Sequence, residues 1–307
     1  MATGRGASGP TKRDRREDAR EHARLMREEA AKKAKRRKVI VQSSIITGVV
    51  AVLAIIGVII FTSVSASGNV ANPKNMLSGG ILLNTSTQAV TTPAIAKGES
   101  ATPTTENLDG KTAHITIYLD YQCPFCQQFE TTNSDQMKQW MDQKIATLEI
   151  HPVAILDSAN NKKYSTRAAA AAACVANYDP NKYFDINSAL FANQPDESTG
   201  TGLTNAQILA LFKKTGVSST AITNCVNDQT FASFITNQTK SAVTNPKLVN
   251  PSTKQFGTPT VIVNGQRYQG GFTDANQFAS FVATAVQTAG TGSTGTPTPT
   301  PTPTPSK

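Results

Sequence analysis

The chain has 307 residues and a formal net charge of +9. Residues 1–38 carry 14 Lys or Arg against 6 Asp or Glu, whereas the rest of the chain carries 16 basic and 15 acidic side chains. A folded nucleic-acid binder has its basic surface on the domain itself, so this distribution excludes nucleic-acid binding as the reason for the basic composition.

An uncharged apolar segment follows the basic tail. Residues 39–61 contain no charged side chain over 23 positions, and about 20 apolar residues are enough for a helix to cross a bilayer. The basic residues of the tail precede this segment, and the next basic residue is Lys74. Because basic flanks favour the cytoplasmic side, we expect a cytoplasmic tail at 1–38, a single transmembrane helix at 39–61 in the cell membrane, and an extracytoplasmic remainder.

A cleaved signal peptide is the alternative interpretation of this segment. Val64-Ser65-Ala66 fits a small-residue cleavage site, but the apolar region of a signal peptide usually spans only about 7–15 residues. Both interpretations deliver the same domain to the oxidising side of a membrane, where disulfides persist.

Two further segments have the composition of unstructured connections. Residues 62–107 are rich in Ser, Thr, Ala, Asn and Pro, and we interpret them as a linker. Residues 290–307 end in alternating Thr and Pro, which favours extended polyproline II and predicts a disordered tail. The intervening residues 108–289 have the length of a single domain.

The predicted domain begins with a strand, a helix and a second strand. Residues 114–119 are β-branched and aromatic, as strands are, and a helix at 127–144 and a strand at 145–155 follow. The later predicted elements are helices at 163–177, 181–192, 205–215 and 220–243, a strand at 260–263, a hairpin turn at Asn264-Gly265 and a helix at 274–287. This order predicts an α/β fold in which helices, at about 161–248, are inserted between the two parts of the sheet.

Cys123 and Cys126 form a Cys-Pro-Phe-Cys motif at the predicted junction of the first strand and helix. A thiolate is the species that attacks a disulfide, and the N–H groups at a helix N-terminus stabilise an anion. Pro124 suits the first helical position, where its missing N–H group costs nothing. The motif therefore indicates exchange through a mixed disulfide, with Cys123 as the outer sulfur and Cys126 as the resolving thiol.

Half of a zinc site is the alternative interpretation of the motif. A structural zinc site needs four ligands, yet Cys174 and Cys225 form no second C-x-x-C motif, and His114 and His151 are not at ligand spacing from the first. A redox-silent module that binds peptides or metal is the alternative of another functional class. We expect no metal and no cofactor.

Residues 120–130 and Gly257-Thr258-Pro259-Thr260 resemble the active site of the DsbA-like thioredoxin-fold proteins. The resemblance covers roughly residues 108–289. It implies a thioredoxin-like fold with an inserted helical subdomain and the activity of a thiol:disulfide oxidoreductase. It also implies that Pro259 is a cis proline against the redox pair and that Thr258 offers backbone hydrogen bonds to a bound substrate.

Members of this family carry an acid beneath the disulfide, at the position that Glu130 occupies here. The resemblance implies that Glu130 exchanges a proton with Cys126, although a surface helix residue is the alternative, and Asp120 is a second candidate for the same task. Phe125 stands where the strongest oxidants of the family have His. Oxidase, isomerase and reductase directions therefore stay open.

Cys174 and Cys225 both fall in the predicted helical block. We interpret them as a structural disulfide of that subdomain, with two buried free thiols as the alternative. The expected substrates are exported proteins that contain cysteines. For an oxidase, the resemblance also implies a membrane redox partner that restores the Cys123–Cys126 disulfide.

Overall fold

The computed structural model describes residues 71–104, 110–197 and 200–290. The basic tail, the predicted transmembrane helix at 39–61 and the Thr/Pro-rich tail after residue 290 lie outside the described residues. Within the described ranges, no helix is long and apolar enough to span a bilayer.

A six-stranded sheet with the order β2-β1-β4-β3-β5-β6 forms the centre of the fold. The β3 and β4 strands pair in parallel. The remaining four pairs of adjacent strands in this sheet are antiparallel. The strands are β1 (Ile81–Thr85), β2 (Gln88–Ala89), β3 (Ala113–Leu119), β4 (Ala146–Pro152), β5 (Thr260–Val263) and β6 (Gln266–Arg267).

Helices fill the connections of this sheet. One helix joins β3 to β4, five lie between β4 and β5, and the last described helix follows β6. They are α1 (Pro124–Asp142), α2 (Tyr164–Tyr178), α3 (Tyr183–Ala192), α4 (Asn205–Lys214), α5 (Thr220–Asn227), α6 (Ala232–Thr244) and α7 (Ala275–Gly290), with short 3-10 turns at Pro180–Lys182 and Pro246–Leu248.

The β3 strand is central, and its side chains alternate between buried and half-buried positions. Ile115 and Ile117 are buried in the core. Successive side chains of a strand point to opposite faces of the sheet, so every second residue faces the core. The parallel register with β4 runs to Leu119 opposite Pro152. The chain then leaves the sheet at Asp120 and enters α1 four residues later, so the motif at 123–126 lies at the carboxyl end of a central strand.

Residues 71–104 are part of the fold, so the prediction of a linker over 62–107 is wrong for this stretch. The β1 strand adds to the sheet with Ile81 opposite Ile150, and the side chains of Met76 and Ile81 are fully buried. Thr104 also donates a hydrogen bond of 2.7 Å to the carboxylate of Glu149 on β4. The Ser/Thr-rich composition concealed a short strand whose partner lies more than sixty residues away.

The helical insertion follows the predicted order with one correction. The predicted single helix at 220–243 is two helices, α5 and α6, because the chain turns between them and Gln229 adopts a φ of 52°. A disulfide joins Cys174 of α2 to Cys225 of α5, and the two cysteines are 51 positions apart in the sequence. The α4 helix begins with a capping box between Thr204 and Gln207.

The predicted hairpin turn joins β5 to β6. Asn264 and Gly265 have φ angles of 48° and 78°, the left-handed values that a two-residue turn of this kind requires and that Asn and Gly tolerate. The Asn264 side chain also accepts a hydrogen bond of 2.7 Å from the backbone N–H of His114. The turn is thereby tied to the start of β3.

Candidate active site

Cys123 is the N-cap residue of α1, and Pro124 is the first helical residue. The backbone of Cys123 is extended, with φ −74° and ψ 119°, and its N–H donates a 3.0 Å hydrogen bond to the carbonyl of Asp120. Cys123 and Cys126 are both present as thiols. Their exposed fractions are 4% and 1%, so Cys126 lies deeper than Cys123.

The environment drives the pKa values of the two thiols in opposite directions. A hydrogen bond from the Cys126 side chain lowers the pKa of Cys123, and the backbone N–H of Cys126 adds to this effect, which exceeds the opposing effect of burial. Burial raises the pKa of Cys126 well above its usual value, and Cys123 raises it further. Cys123 is therefore the thiol that ionises first.

The turn before β5 contacts the Cys123 thiol. The Cys123 thiol donates a 3.3 Å hydrogen bond to the carbonyl oxygen of Thr258. The peptide bond between Thr258 and Pro259 is cis, and Pro259 is buried. The structure thus brings four of the sequence-predicted site residues together: Cys123, Cys126, Thr258 and Pro259.

Asp120 is a fully buried carboxyl group at the end of β3. Its two oxygens accept hydrogen bonds from the backbone N–H groups of Gln122 (2.8 Å) and Leu156 (3.0 Å). Burial outweighs these bonds and raises the pKa of Asp120 to about 7. The charge of this carboxyl raises the pKa of both Cys123 and Cys126, so it is coupled electrostatically to the thiol pair.

Glu130 is also buried, with an exposed fraction of 2%, which excludes the alternative of a surface helix residue. Neither of its carboxylate oxygens has a hydrogen-bond partner among the described residues. Burial raises the pKa of Glu130 to about 7. The charge of Glu130 contributes to raising the pKa values of the Tyr121 and Tyr183 hydroxyls. Asn187 accepts a 2.9 Å hydrogen bond from Tyr121.

The surface around the thiol pair is apolar on one side and cleft-shaped on the other. Phe125 is 56% exposed, and its ring lies 6.3 Å from that of Phe272, centroid to centroid. A cleft of about 640 Å³ adjoins the first turn of α1. It is lined by Pro124, Gln127, Gln194, Pro195, Asp196 and Glu197. In the described ranges, no group of three or more His, Cys, Asp or Glu side chains is arranged to hold a metal ion.

Sequence analysis did not identify two residues that contact the motif from elsewhere in the chain, Gln194 of the helical insertion and Phe272 between β6 and α7. The Gln194 side chain donates hydrogen bonds of 3.0 Å to the carbonyls of Tyr121 and Cys123, and Phe272 lies against Phe125. Both occur in loops without a recognisable motif. Only the tertiary structure brings them to the motif.

Comparison with known proteins finds a matching family model and similar solved structures. A family model described as thioredoxin matches residues 109–283. The oxidised form of DsbA from Mycobacterium tuberculosis is similar in structure, with a TM-score of 0.50, 26% sequence identity, and coverage of 70% of this chain and 100% of that one. The reduced disulfide bond oxidoreductase DsbG of the same species has 26% identity, a TM-score of 0.48, and coverage of 66% and 90%.

The curated relatives that match are longer proteins than this chain. The serine/threonine-protein kinase PknE of M. tuberculosis is 33% identical over 168 residues, which are 53% of this chain and 27% of the kinase. The chain thus spans about a quarter of the length of these relatives.

The family model covers more than half of the chain, and the similar DsbA structure is covered over its full length. The chain therefore belongs to the thioredoxin family, and its domain is DsbA-like in structure.

Proposed function

We propose that the motif at 123–126 is the redox site of an oxidase that introduces disulfides into exported proteins. The observation that carries this proposal is the opposed shift of the two thiols: the pKa of Cys123 is lowered and that of buried Cys126 is raised. A stabilised Cys123 thiolate favours the reduced form of the site and so favours transfer of the disulfide to a substrate.

The proposed reaction begins with the Cys123–Cys126 disulfide. A substrate thiolate attacks the sulfur of Cys123, the bond between the two cysteines breaks, and Cys126 leaves as a thiolate. A second substrate thiolate then attacks the substrate sulfur of this mixed disulfide, and Cys123 leaves as a thiolate. The substrate loses two electrons to form its disulfide, and the redox pair gains them.

Proton transfer at Cys126 is assigned to Asp120 in this proposal. Because its pKa is raised to about 7, Asp120 is in part protonated at neutral pH and can donate to the Cys126 thiolate. When the pair is oxidised again, the same carboxylate accepts the proton. Glu130, whose charge raises the pKa values of Tyr121 and Tyr183, would serve as a second buried proton store.

The turn at Thr258-Pro259 is proposed as the place where the substrate chain is held. The Thr258 carbonyl contacts the Cys123 thiol, so a substrate cysteine joined to Cys123 must lie next to this turn. The exposed ring of Phe125 and the neighbouring ring of Phe272 would contact apolar side chains of the substrate.

The site is proposed to act outside the cytoplasm. An uncharged segment at 39–61 behind a basic tail supports a single-pass anchor with its N-terminus in the cytoplasm. An oxidase is reduced by each turnover, so this proposal requires a membrane partner that accepts two electrons from the Cys123 and Cys126 thiols.

Trapping of mixed disulfides tests the proposal in the full-length protein. With Cys126→Ala, the resolving thiol is absent, and covalent adducts between Cys123 and exported proteins should accumulate in cells. The double variant Cys123→Ala, Cys126→Ala is the matched control and should form none. If the single variant also forms no adduct, the site does not exchange disulfides, and the rival interpretation as a redox-silent binding module gains support.

A further inference from the structure

Three glutamine side chains connect the active-site turn to the end of α3. The Gln122 amide donates to the Pro195 carbonyl, and the Gln127 amide donates to the Phe191 carbonyl, each over 3.0 Å. The third is Gln194, whose bonds run in the opposite direction, from the insertion to the turn. We refer to Gln122, Gln127 and Gln194 as the glutamine clamp.

Gln194 differs from the other two because it binds the backbone of the proposed nucleophile. Its amide nitrogen donates over 3.0 Å to the carbonyl of Tyr121 and over 3.0 Å to that of Cys123. An amide NH₂ group has two hydrogens, so a single side chain satisfies both acceptors. The Cys123 carbonyl also accepts the first intrahelical bond, from Gln127 N–H at 3.1 Å.

Local hydrogen bonds to Asp120 and from Gln127 also hold the Cys123 backbone, but the Cys123 side chain adds none at the start of α1. As N-cap residue of α1, Cys123 makes no side-chain capping bond, unlike Thr204 and Ser219, which cap α4 and α5 with their hydroxyls. Its thiolate depends on donors from Cys126 in the first turn of α1. The direction in which the Cys123 side chain leaves the backbone therefore decides how well these donors reach the sulfur.

We propose that Gln194 is a positioning residue that holds the Cys123 carbonyl so that its sulfur stays aligned with the N-terminus of α1. This inference rests on the proposed role of Cys123 as the outer, attacking sulfur. Gln194 also lines the cleft beside α1. A substrate segment in that cleft would contact the residue that restrains the nucleophile.

The test measures the rate at which iodoacetamide alkylates Cys123 in the reduced full-length protein, as a function of pH. Peptide mass spectrometry separates Cys123 from Cys126. Gln194→Leu removes both hydrogen bonds at similar volume. Below the pKa of Cys123, alkylation should slow about threefold to tenfold, and its midpoint should move to higher pH, because a lost hydrogen bond is equivalent to as much as about one pKa unit.

Two further variants make the result specific. Gln194→Met also removes the donors but keeps an unbranched side chain, so it should show the same shift if hydrogen bonding rather than packing is responsible. Asn193→Leu is the matched control, because the exposed Asn193 amide donates to the Ala189 carbonyl within α3, and it should keep the wild-type profile.

The outcomes separate this inference from the proposed function. If Gln194→Leu or Gln194→Met folds and keeps the wild-type pH profile, Gln194 does not position Cys123. If Asn193→Leu shows the same shift, the effect belongs to the loop in general and the inference is overturned. If wild-type Cys126 reacts before Cys123, the assignment of the outer sulfur fails instead.

Discussion

The thiol of Cys123 donates a 3.3 Å hydrogen bond to the carbonyl oxygen of Thr258, although 135 residues separate the two. The antiparallel pairing of β3 with β5 makes this contact. The residue that leaves β3 and the residue that enters β5 meet at the same edge of the sheet. The helical insertion reaches the same point from a third direction through Gln194. The thiol pair is therefore held by three separate parts of the chain.

Asp120→Asn should slow re-oxidation of the reduced pair. The substitution removes the group proposed to take the proton from Cys126, and the rate constant for oxidation by oxidised glutathione at neutral pH should fall about tenfold or more. The pKa of Cys123 should fall at the same time, because the Asp120 charge raises it. Asp135→Asn, on the exposed side of α1, is the control. An unchanged re-oxidation rate in Asp120→Asn would remove Asp120 from the mechanism.

Glu130→Gln should flatten the pH dependence of stability. The pKa of Glu130 in the folded protein is raised from 4.5 to about 7, so between these values the folded state binds a proton that the unfolded state releases. Its contribution is therefore fully present below about pH 4.5 and is lost as the pH rises through about 7.

Urea unfolding at pH 4.5 and 7.5 measures this effect. In Glu130→Gln the loss of stability between the two pH values should be smaller than in the wild type by up to about 3 kcal/mol. Equal losses in both proteins would mean that Glu130 is solvated or paired in the folded state.

The sequence was sufficient to predict the elements whose signals are local. The strand–motif–helix junction and the Asn264-Gly265 turn both have short-range signatures. The sequence makes Asp120 only a second candidate, because its burial and its hydrogen bond from the N–H group of Leu156 arise from the tertiary structure. The break between α5 and α6 was missed because no Gly or Pro marks it.

The β1 strand provides a direct test that residues 71–104 belong to the domain. Ile81→Ala should reduce the free energy of unfolding by about 2–4 kcal/mol, because it removes a fully buried side chain and leaves a cavity. Leu82→Ala, at the neighbouring half-buried position, should cost clearly less. If both substitutions change the free energy of unfolding by equally small amounts in urea unfolding, residues 71–104 are a linker and not part of the domain.

The Cys174–Cys225 disulfide is expected to stabilise the fold without exchanging disulfides itself. It joins two residues that are 51 positions apart in the sequence, for which the chain-entropy model gives about 4 kcal/mol. The double variant Cys174→Ala, Cys225→Ala should therefore unfold at a lower urea concentration. If this variant still folds but no longer forms mixed disulfides through Cys123, the second pair takes part in the exchange.

The reduction potential of the Cys123–Cys126 pair tests the proposed oxidase most directly. The full-length protein would be equilibrated with glutathione buffers, and the oxidised fraction of the 123–126 motif read by mass spectrometry. A lowered pKa of Cys123 predicts an oxidising potential, nearer the roughly −120 mV of the strong periplasmic oxidant DsbA than the roughly −270 mV of thioredoxin. A value near −270 mV would contradict the oxidase and indicate a reductase built on the same site.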